Sequence, residues 1–120
     1  TSGEIRIAVA PFFLGSIARR AERAFRRLGM SRTQHHNGVL IFVAPSRRQF
    51  RILGDAAIHA CVGQAHWDRV AAELGRSFAA GKCTEGLVAA VEAVGRELAL
   101  HFPPPAGDNP DELPDGIAKG

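Results

Sequence analysis

The spacing of apolar residues changes along the chain in a way that predicts its main elements. Polar and apolar residues alternate over residues 4–9, which is typical of a strand with one apolar face. Residues 39–44 are apolar without a break, as in a strand that is buried on both faces. After a Pro-containing turn at residues 45–48, alternation resumes over residues 49–53, so the second and third strands are predicted to form an antiparallel hairpin.

Helical spacing occurs in three other segments. Ser16 is suited to capping a first helix that runs to Leu28 and carries one apolar stripe. Apolar residues at intervals of three and four over residues 67–78 predict a second helix. Thr84 is suited to capping a third helix, which the prolines at residues 103–105 must end.

The predicted order of elements is therefore β-α-β-β-α-α, with residues 58–66 as a loop. A strand, a helix and a second strand in succession imply a right-handed crossover and a parallel pair. Helices on both faces of the sheet would account for the unbroken apolar strand. We predict an α/β fold, a small three-layer α/β/α sandwich with a mixed sheet, in residues 1–105, followed by an acidic C-terminal tail at residues 106–120.

Charge is distributed unevenly along the chain. Residues 1–51 contain ten Arg and two Glu, a net charge of +8, whereas residues 52–120 contain five Lys and Arg and ten Asp and Glu, a net charge of −5. The polar side of the first helix carries five arginines: Arg19, Arg20, Arg23, Arg26 and Arg27. Such a face suits a protein partner or an anionic membrane surface, or it is simply solvated. No nucleic-acid-binding motif accompanies it, so we expect no nucleic acid partner.

Residues 12–14, with the sequence FFL, precede this arginine-rich helix and allow two interpretations. The first is a loop that covers the core. The second is a membrane wedge, because apolar residues beside arginines are typical of segments that bind at a bilayer interface.

The sequence lacks the signatures of several classes of protein. No apolar run is long enough to span a bilayer, and residues 1–4 lack the pattern of a signal peptide. A strand pattern begins almost at once, so we expect a soluble domain trimmed from a longer protein, and the sequence leaves open whether the parent protein is membrane-associated. Cys61 and Cys83 have no Cys-x-x-Cys partner, and no phosphate loop or dinucleotide fingerprint is present.

Polar residues are predicted to meet at one edge of the sheet. Parallel first and second strands place Glu4 and Asn37 at the same end, and the antiparallel third strand ends there with Asp55. Two carboxylates and an amide carbonyl, with His36 nearby, can hold Ca²⁺ or Mg²⁺ weakly. In the alternative interpretation, Glu4 and Asp55 cap local turns and His36 is solvated.

Other site chemistry is less well supported by the sequence. His59, Cys61 and His66 offer imidazole and thiolate ligands for zinc, but their spacing matches no standard zinc motif. Ser16 and Ser46 lie in turns without an evident base, so no catalytic residue is identified.

Short motifs in a characteristic order extend over nearly the whole chain. They are TSGEI at residues 1–5, NGVLI at 37–41, GD at 54–55 with IH at 58–59, Trp67, GKCTEGL at 81–87, HFP at 101–103 and NPDELP at 109–114. In this order and spacing the sequence resembles the TPM domain family, most of all its bacterial branch of proteins described as membrane proteins. The resemblance implies an α/β/α sandwich. For some members it implies phosphatase activity and divalent-cation binding, and for others a role in assembling or repairing membrane complexes.

One position departs from the family pattern. Many members carry Asp directly before the Asn-Gly pair, where this chain has His36. A hard cation prefers carboxylate oxygen to imidazole nitrogen, so we expect weak cation affinity. The leading hypothesis is a non-catalytic TPM-type binding or accessory module that acts through protein contacts near a membrane. The alternative is a divalent-cation-dependent phosphatase, so the sequence leaves open whether the protein is an enzyme.

Overall fold

The computed structural model describes residues 3–32 and 35–103, which form three strands and four α-helices. The elements are β1 (Glu4–Val9), α1 (Ile17–Arg27), β2 (Gly38–Ala44), β3 (Gln49–Gly54), α2 (Ala56–Val62), α3 (Gln64–Ala79) and α4 (Cys83–His101). No helix in this part of the chain is long and apolar enough to cross a membrane. The predicted acidic tail at residues 106–120 lies outside the described residues.

β2 is the central strand of a three-stranded mixed sheet in the order β1-β2-β3. β1 runs parallel to it, with Ile7 opposite Ile41, and β3 runs antiparallel, with Ile52 opposite Ile41. Every residue of β2 is buried, because helices cover both faces of the sheet. The structure therefore confirms the predicted α/β fold with a mixed sheet between helical layers.

Alternate residues of β2 face two separate cores, as the two-residue period of a strand requires. The first core joins β2 and β3 to α2, α3 and α4: Val39, Ile41, Val43, Ile52, Ile58, Trp67, Val70, Leu74, Ala90, Val94 and Leu98. The second core joins the other face of β2 to α1 and the segments flanking it: Ala10, Phe13, Ala21, Ala24, Phe25, Met30, Leu40, Phe42 and Ala44. α1 thus forms one outer layer, and α3 and α4 form the other.

The structure differs from the prediction at two helix starts. The loop predicted at residues 58–66 is mostly helical, because α2 occupies its first part and α3 its last. Asp55 starts α2 by accepting a hydrogen bond from the Ala56 amide (2.8 Å), and a helix of two turns is too short to show a helical period in the sequence. Thr84 does not cap α4, because the helix begins at Cys83, two residues earlier than that cap would allow, with Lys82 as its N-cap and without a side-chain cap.

Trp67 anchors α3 in the first core, where its side chain is fully buried. We expect Trp67→Ala to lower the free energy of unfolding by about 3–5 kcal/mol, since deleting a large buried aromatic side chain leaves a cavity. Urea denaturation followed by circular dichroism measures the change. Phe12→Ala, at an exposed position, is the control and should have little effect. A loss below about 1 kcal/mol for Trp67→Ala would instead mean that this side chain is peripheral to stability.

Candidate functional site

Backbone hydrogen bonds fasten the loop that enters β2 to the start of α2. The Asp55 amide donates to the Gly38 carbonyl (2.8 Å), and the Ala57 amide donates to the His36 carbonyl (2.9 Å). Asn37, between these two acceptors, is buried. The amino end of β2, the end of β3 and the first turn of α2 are therefore held together as one junction.

Asp55 lies at the centre of this junction. Its Oδ1 accepts the Ala56 amide hydrogen bond that caps α2, and its Oδ2 lies 3.4 Å from His36 Nδ1. The side chain of Asp55 is 11% exposed and that of His36 is 59% exposed. Asp55 Oδ2 is buried and makes no hydrogen bond to any described residue. This oxygen is the one that could face a cation or a protonated imidazole.

His36 adopts the left-handed backbone conformation, with φ at +52°. This conformation costs a residue with a Cβ about 1–2 kcal/mol, and Asn and Asp tolerate it better than most. The hydrogen bond from the Ala57 amide to the His36 carbonyl helps to hold it. Arg48 in the hairpin turn has the same conformation, with φ at +53°, so positive φ does not by itself distinguish the junction as a site.

The structure places Glu4 apart from Asp55. Glu4 lies opposite Gly38 on β1, whereas Asp55 follows β3 on the other side of β2. Neighbouring strands are about 4.8 Å apart, so roughly 10 Å separates the two backbones. The Glu4 carboxylate also accepts a hydrogen bond from Arg6 Nε (2.7 Å). A cation shared by Glu4 and Asp55 would require Glu4 to leave Arg6.

The residues considered for zinc have different environments. His59 and Cys61 are exposed on α2, while His66, in the first turn of α3, packs edge-on against Trp67 with ring centroids 5.5 Å apart. Within residues 3–32 and 35–103, no three His, Cys, Asp or Glu side chains form a group that could hold a metal ion.

Two buried nitrogen atoms near the junction, on Trp67 and His66, do not belong to the cation site predicted from the sequence. Trp67 Nε1 and His66 Nε2 are buried without a hydrogen-bond partner among the described residues. Trp67 Nε1 lies close to Gly54, where an added Cβ would come within 3.1 Å of it, and Asp55 is the next residue. The sequence signal was only that a buried indole N–H needs an acceptor, which does not say where the ring points.

The five arginines of α1 lie on the side of the helix that faces away from the sheet. This surface is called the arginine face. Four of its side chains are exposed and Arg20 is half-buried: Arg19, Arg20, Arg23, Arg26 and Arg27. Ser16 caps the helix as predicted, since its Oγ accepts a hydrogen bond from the Arg19 amide (3.1 Å). Burial of Ala21, Ala24 and Phe25 fixes the rotation of the helix about its axis.

A cleft of about 190 Å³ lies between α1 and β3, next to the junction. Its lining combines charged and apolar residues: Glu22, Phe25, Arg26, Leu53 and Gly54. A guanidinium beside an apolar floor can pair with a carboxylate or phosphate group while the rest of a ligand covers apolar surface.

Comparisons with known proteins agree with this description. The family model of the TPM domain matches residues 1–97. The NMR structure of the BA42 protein from the psychrophilic bacterium Bizionia argentinensis is 38% identical to this chain, with a TM-score of 0.80 over 95% of this chain and 78% of that one. The NMR structure of the N-terminal domain of a P. gingivalis protein is 18% identical, with a TM-score of 0.69 over 79% of this chain and 62% of that one, and it shows the fold alone. No curated protein matches the sequence.

Proposed function

Because the chain belongs to the TPM domain family, we propose that it is a non-catalytic binding or accessory module that acts through protein contacts near a membrane. Membership of the bacterial branch of proteins described as membrane proteins is part of this proposal. The contact surface is the arginine face of α1, and the partner is an acidic protein surface. The observation that carries the proposal is the charge of α1, in which the only acidic residue is Glu22.

The geometry of α1 supports a docking role for its arginines. The helix is capped at Ser16 and its apolar stripe is buried, so the guanidinium groups project from a fixed backbone. Arginine pairs with carboxylates through two parallel hydrogen bonds, which gives direction as well as attraction. The backbone that carries the arginines is already ordered, so binding costs less backbone entropy than it would in a mobile segment.

The cleft beside Arg26 provides a place where a partner side chain could enter. Phe25 and Leu53 are its apolar lining residues, and Glu22 lines it together with Arg26. An acidic side chain of the partner can reach Arg26, while Glu22 repels a carboxylate that approaches from its own side. Within the cleft, a partner carboxylate is therefore favoured next to Arg26 and disfavoured next to Glu22.

The two carboxylates of the predicted cation site, Asp55 and Glu4, favour a binding module over an enzyme because each has a structural partner. One oxygen of Asp55 caps α2, and Glu4 is paired with Arg6. Covalent catalysis needs a nucleophile beside an oriented base, and we identify no such pair among residues 3–32 and 35–103.

Binding to poly-glutamate, a simple acidic polypeptide, tests the arginine face. We expect the wild type to bind it, and the triple variant Arg23→Gln, Arg26→Gln, Arg27→Gln to bind at least about tenfold more weakly, because charge-assisted pairs are lost. Added salt should weaken wild-type binding. Fluorescence anisotropy with labelled poly-glutamate measures both effects.

The matched control removes the same charge elsewhere, through Arg69→Gln, Arg76→Gln and Arg96→Gln on α3 and α4, where all three side chains are exposed. If this control weakens binding as much as the α1 variant, the interaction depends on net charge and the arginine face is not a specific docking surface.

A cation-dependent phosphatase is the second candidate function. The observation that favours it is Asp55 Oδ2, a buried carboxylate oxygen without a hydrogen bond to any described residue, beside His36. An oxygen of this kind is a ligand for Ca²⁺ or Mg²⁺, and a metal ion could polarise a phosphate ester there.

Hydrolysis of p-nitrophenyl phosphate by purified protein, with and without Mg²⁺, distinguishes the two functions. We expect no activity above that of a mock purification, because Glu4 and Asp55 are engaged in structural contacts. Mg²⁺-dependent activity that survives purification and is lost in Asp55→Asn or Glu4→Gln would exclude the non-catalytic module. Asn is itself a good N-cap, so Asp55→Asn should keep α2 folded.

Cation binding at the junction can be measured separately by calorimetry. If Glu4, Asn37 and Asp55 hold Ca²⁺ or Mg²⁺, we expect a dissociation constant of about 10⁻⁴–10⁻³ M, as in weak extracellular sites. His36→Asp should tighten binding because it adds a carboxylate, and Asp55→Asn should abolish it. A wild type that binds neither cation, with no gain in His36→Asp, would assign the junction a structural role only.

A further inference from the structure

The loop of residues 11–15 between β1 and α1, here called the 11–15 loop, exposes two large apolar side chains. Phe12 is 77% exposed and Leu14 is 84% exposed, the highest values for large hydrophobic residues in the described chain. Phe13 between them is buried in the second core. The loop therefore packs Phe13 into the core and exposes its two neighbours to solvent.

The 11–15 loop is braced from the hairpin turn between β2 and β3. The Arg47 guanidinium donates to the carbonyls of Phe13 (2.6 Å) and Gly15 and lies 3.9 Å from the centroid of the Phe13 ring. Ser46 Oγ donates to the Pro11 carbonyl (2.8 Å). The ring of Phe13 also packs edge-on against Phe42, with centroids 6.1 Å apart. These contacts fix the loop before any partner arrives, which lowers the entropy cost of binding.

The surroundings of the 11–15 loop are basic. Residues 10–21 and 44–54 contain no Asp or Glu. Arg19 and Arg48 are exposed beside the loop and the hairpin turn, and Arg20 is half-buried. The α3–α4 connection lies at the same end of the sheet, since Phe78 near the end of α3 packs against Phe50 of β3. Lys82 in this connection and Glu85 in the first turn of α4 together add no net charge.

We propose that this end of the molecule binds an anionic lipid bilayer, with Phe12 and Leu14 inserted at the boundary between headgroups and acyl chains and with Arg19, Arg20 and Arg48 near the lipid phosphates. Apolar side chains flanked by arginines are the combination that such an interface binds. The proposal deepens the proposed function, since it supplies the module with its own attachment to the membrane.

Charge favours a lipid surface over a second copy of the chain. A symmetric contact through the 11–15 loop would bring the same patch of both copies together, so Arg19, Arg20 and Arg48 would face their own equivalents and repel. An anionic bilayer offers complementary charge, and each arginine near it adds to the attraction.

Co-sedimentation with vesicles tests the proposal. We expect the wild type to bind vesicles of phosphatidylcholine mixed with phosphatidylglycerol, and to bind pure phosphatidylcholine weakly. The double variant Phe12→Ser, Leu14→Ser should bind the anionic vesicles at least about tenfold more weakly, because two apolar side chains no longer leave water. Leu100→Ser is the matched control, since Leu100 is 71% exposed on α4 and lies near the opposite end of the sheet.

Two further variants test the basic surroundings and the depth of insertion. Arg19→Gln with Arg48→Asn should weaken anionic binding, whereas Arg69→Gln with Arg96→Gln should not. In Phe12→Trp, lipids with brominated acyl chains should quench the new tryptophan, while Trp67, which is fully buried, provides the unquenched background. Leu100→Trp should remain unquenched.

The proposal is overturned by any of three results. One is an absence of binding to anionic vesicles. Another is binding that the Phe12→Ser, Leu14→Ser variant retains, which would reflect charge alone. The third is a wild type that forms a concentration-dependent dimer but does not bind lipid, when the Phe12→Ser, Leu14→Ser variant is monomeric. This result would mean that the loop contacts a second copy of the chain. None of these results depends on poly-glutamate binding by Arg23, Arg26 and Arg27, so failure of this proposal and failure of the proposed function can be told apart.

Discussion

The burial of β2 on both faces dictates how the other elements are arranged. A strand of seven buried residues needs hydrogen-bonding partners along both edges, because unpaired buried amides and carbonyls are costly. It also needs apolar cover on both faces, which α1 provides on one side and α3 with α4 on the other. The position of β2 in the centre of the sheet, and the three layers, follow from this one requirement.

Because β2 is buried along its whole length, the polar contacts described above lie at its amino end and at its carboxyl end. At the amino end of β2, backbone hydrogen bonds join His36 and Gly38 to the start of α2. One carboxylate oxygen of Asp55 caps α2 there, which leaves only the other oxygen for a ligand. At the carboxyl end, the parallel β1 and the hairpin turn finish side by side, and Arg47 therefore reaches the 11–15 loop. The arginine face of α1 runs between the two ends. The candidate cation site and the proposed membrane contact are thus at opposite ends. The arginine face connects them, with Arg19 and Arg20 at the membrane end and Arg26 lining the cleft next to the junction.

Local periodicity was sufficient to predict much of the fold. The alternation in β1 and β3, the unbroken apolar run of β2 and the cap at Ser16 are properties of short segments, and the observed elements agree with them. α2 was missed because its two turns are too short to show a period. The orientation of the arginine face also followed from the sequence, since the buried stripe of a helix determines which residues lie opposite it.

The sequence alone was enough to predict the three strands, their relative directions, three of the four helices and the end of the sheet at which each loop lies. The distances between those loops and the pairing of their side chains are set only by the packing of the layers. Glu4 and Asp55 lie at the same end of the sheet, but β2 lies between them and Arg6 pairs with Glu4. Arg47 contacts the carbonyl of Phe13, 34 residues away in sequence. Hydrophobic periodicity is a local signal, whereas such pairings depend on lateral distances across the sheet that are set only when the layers pack.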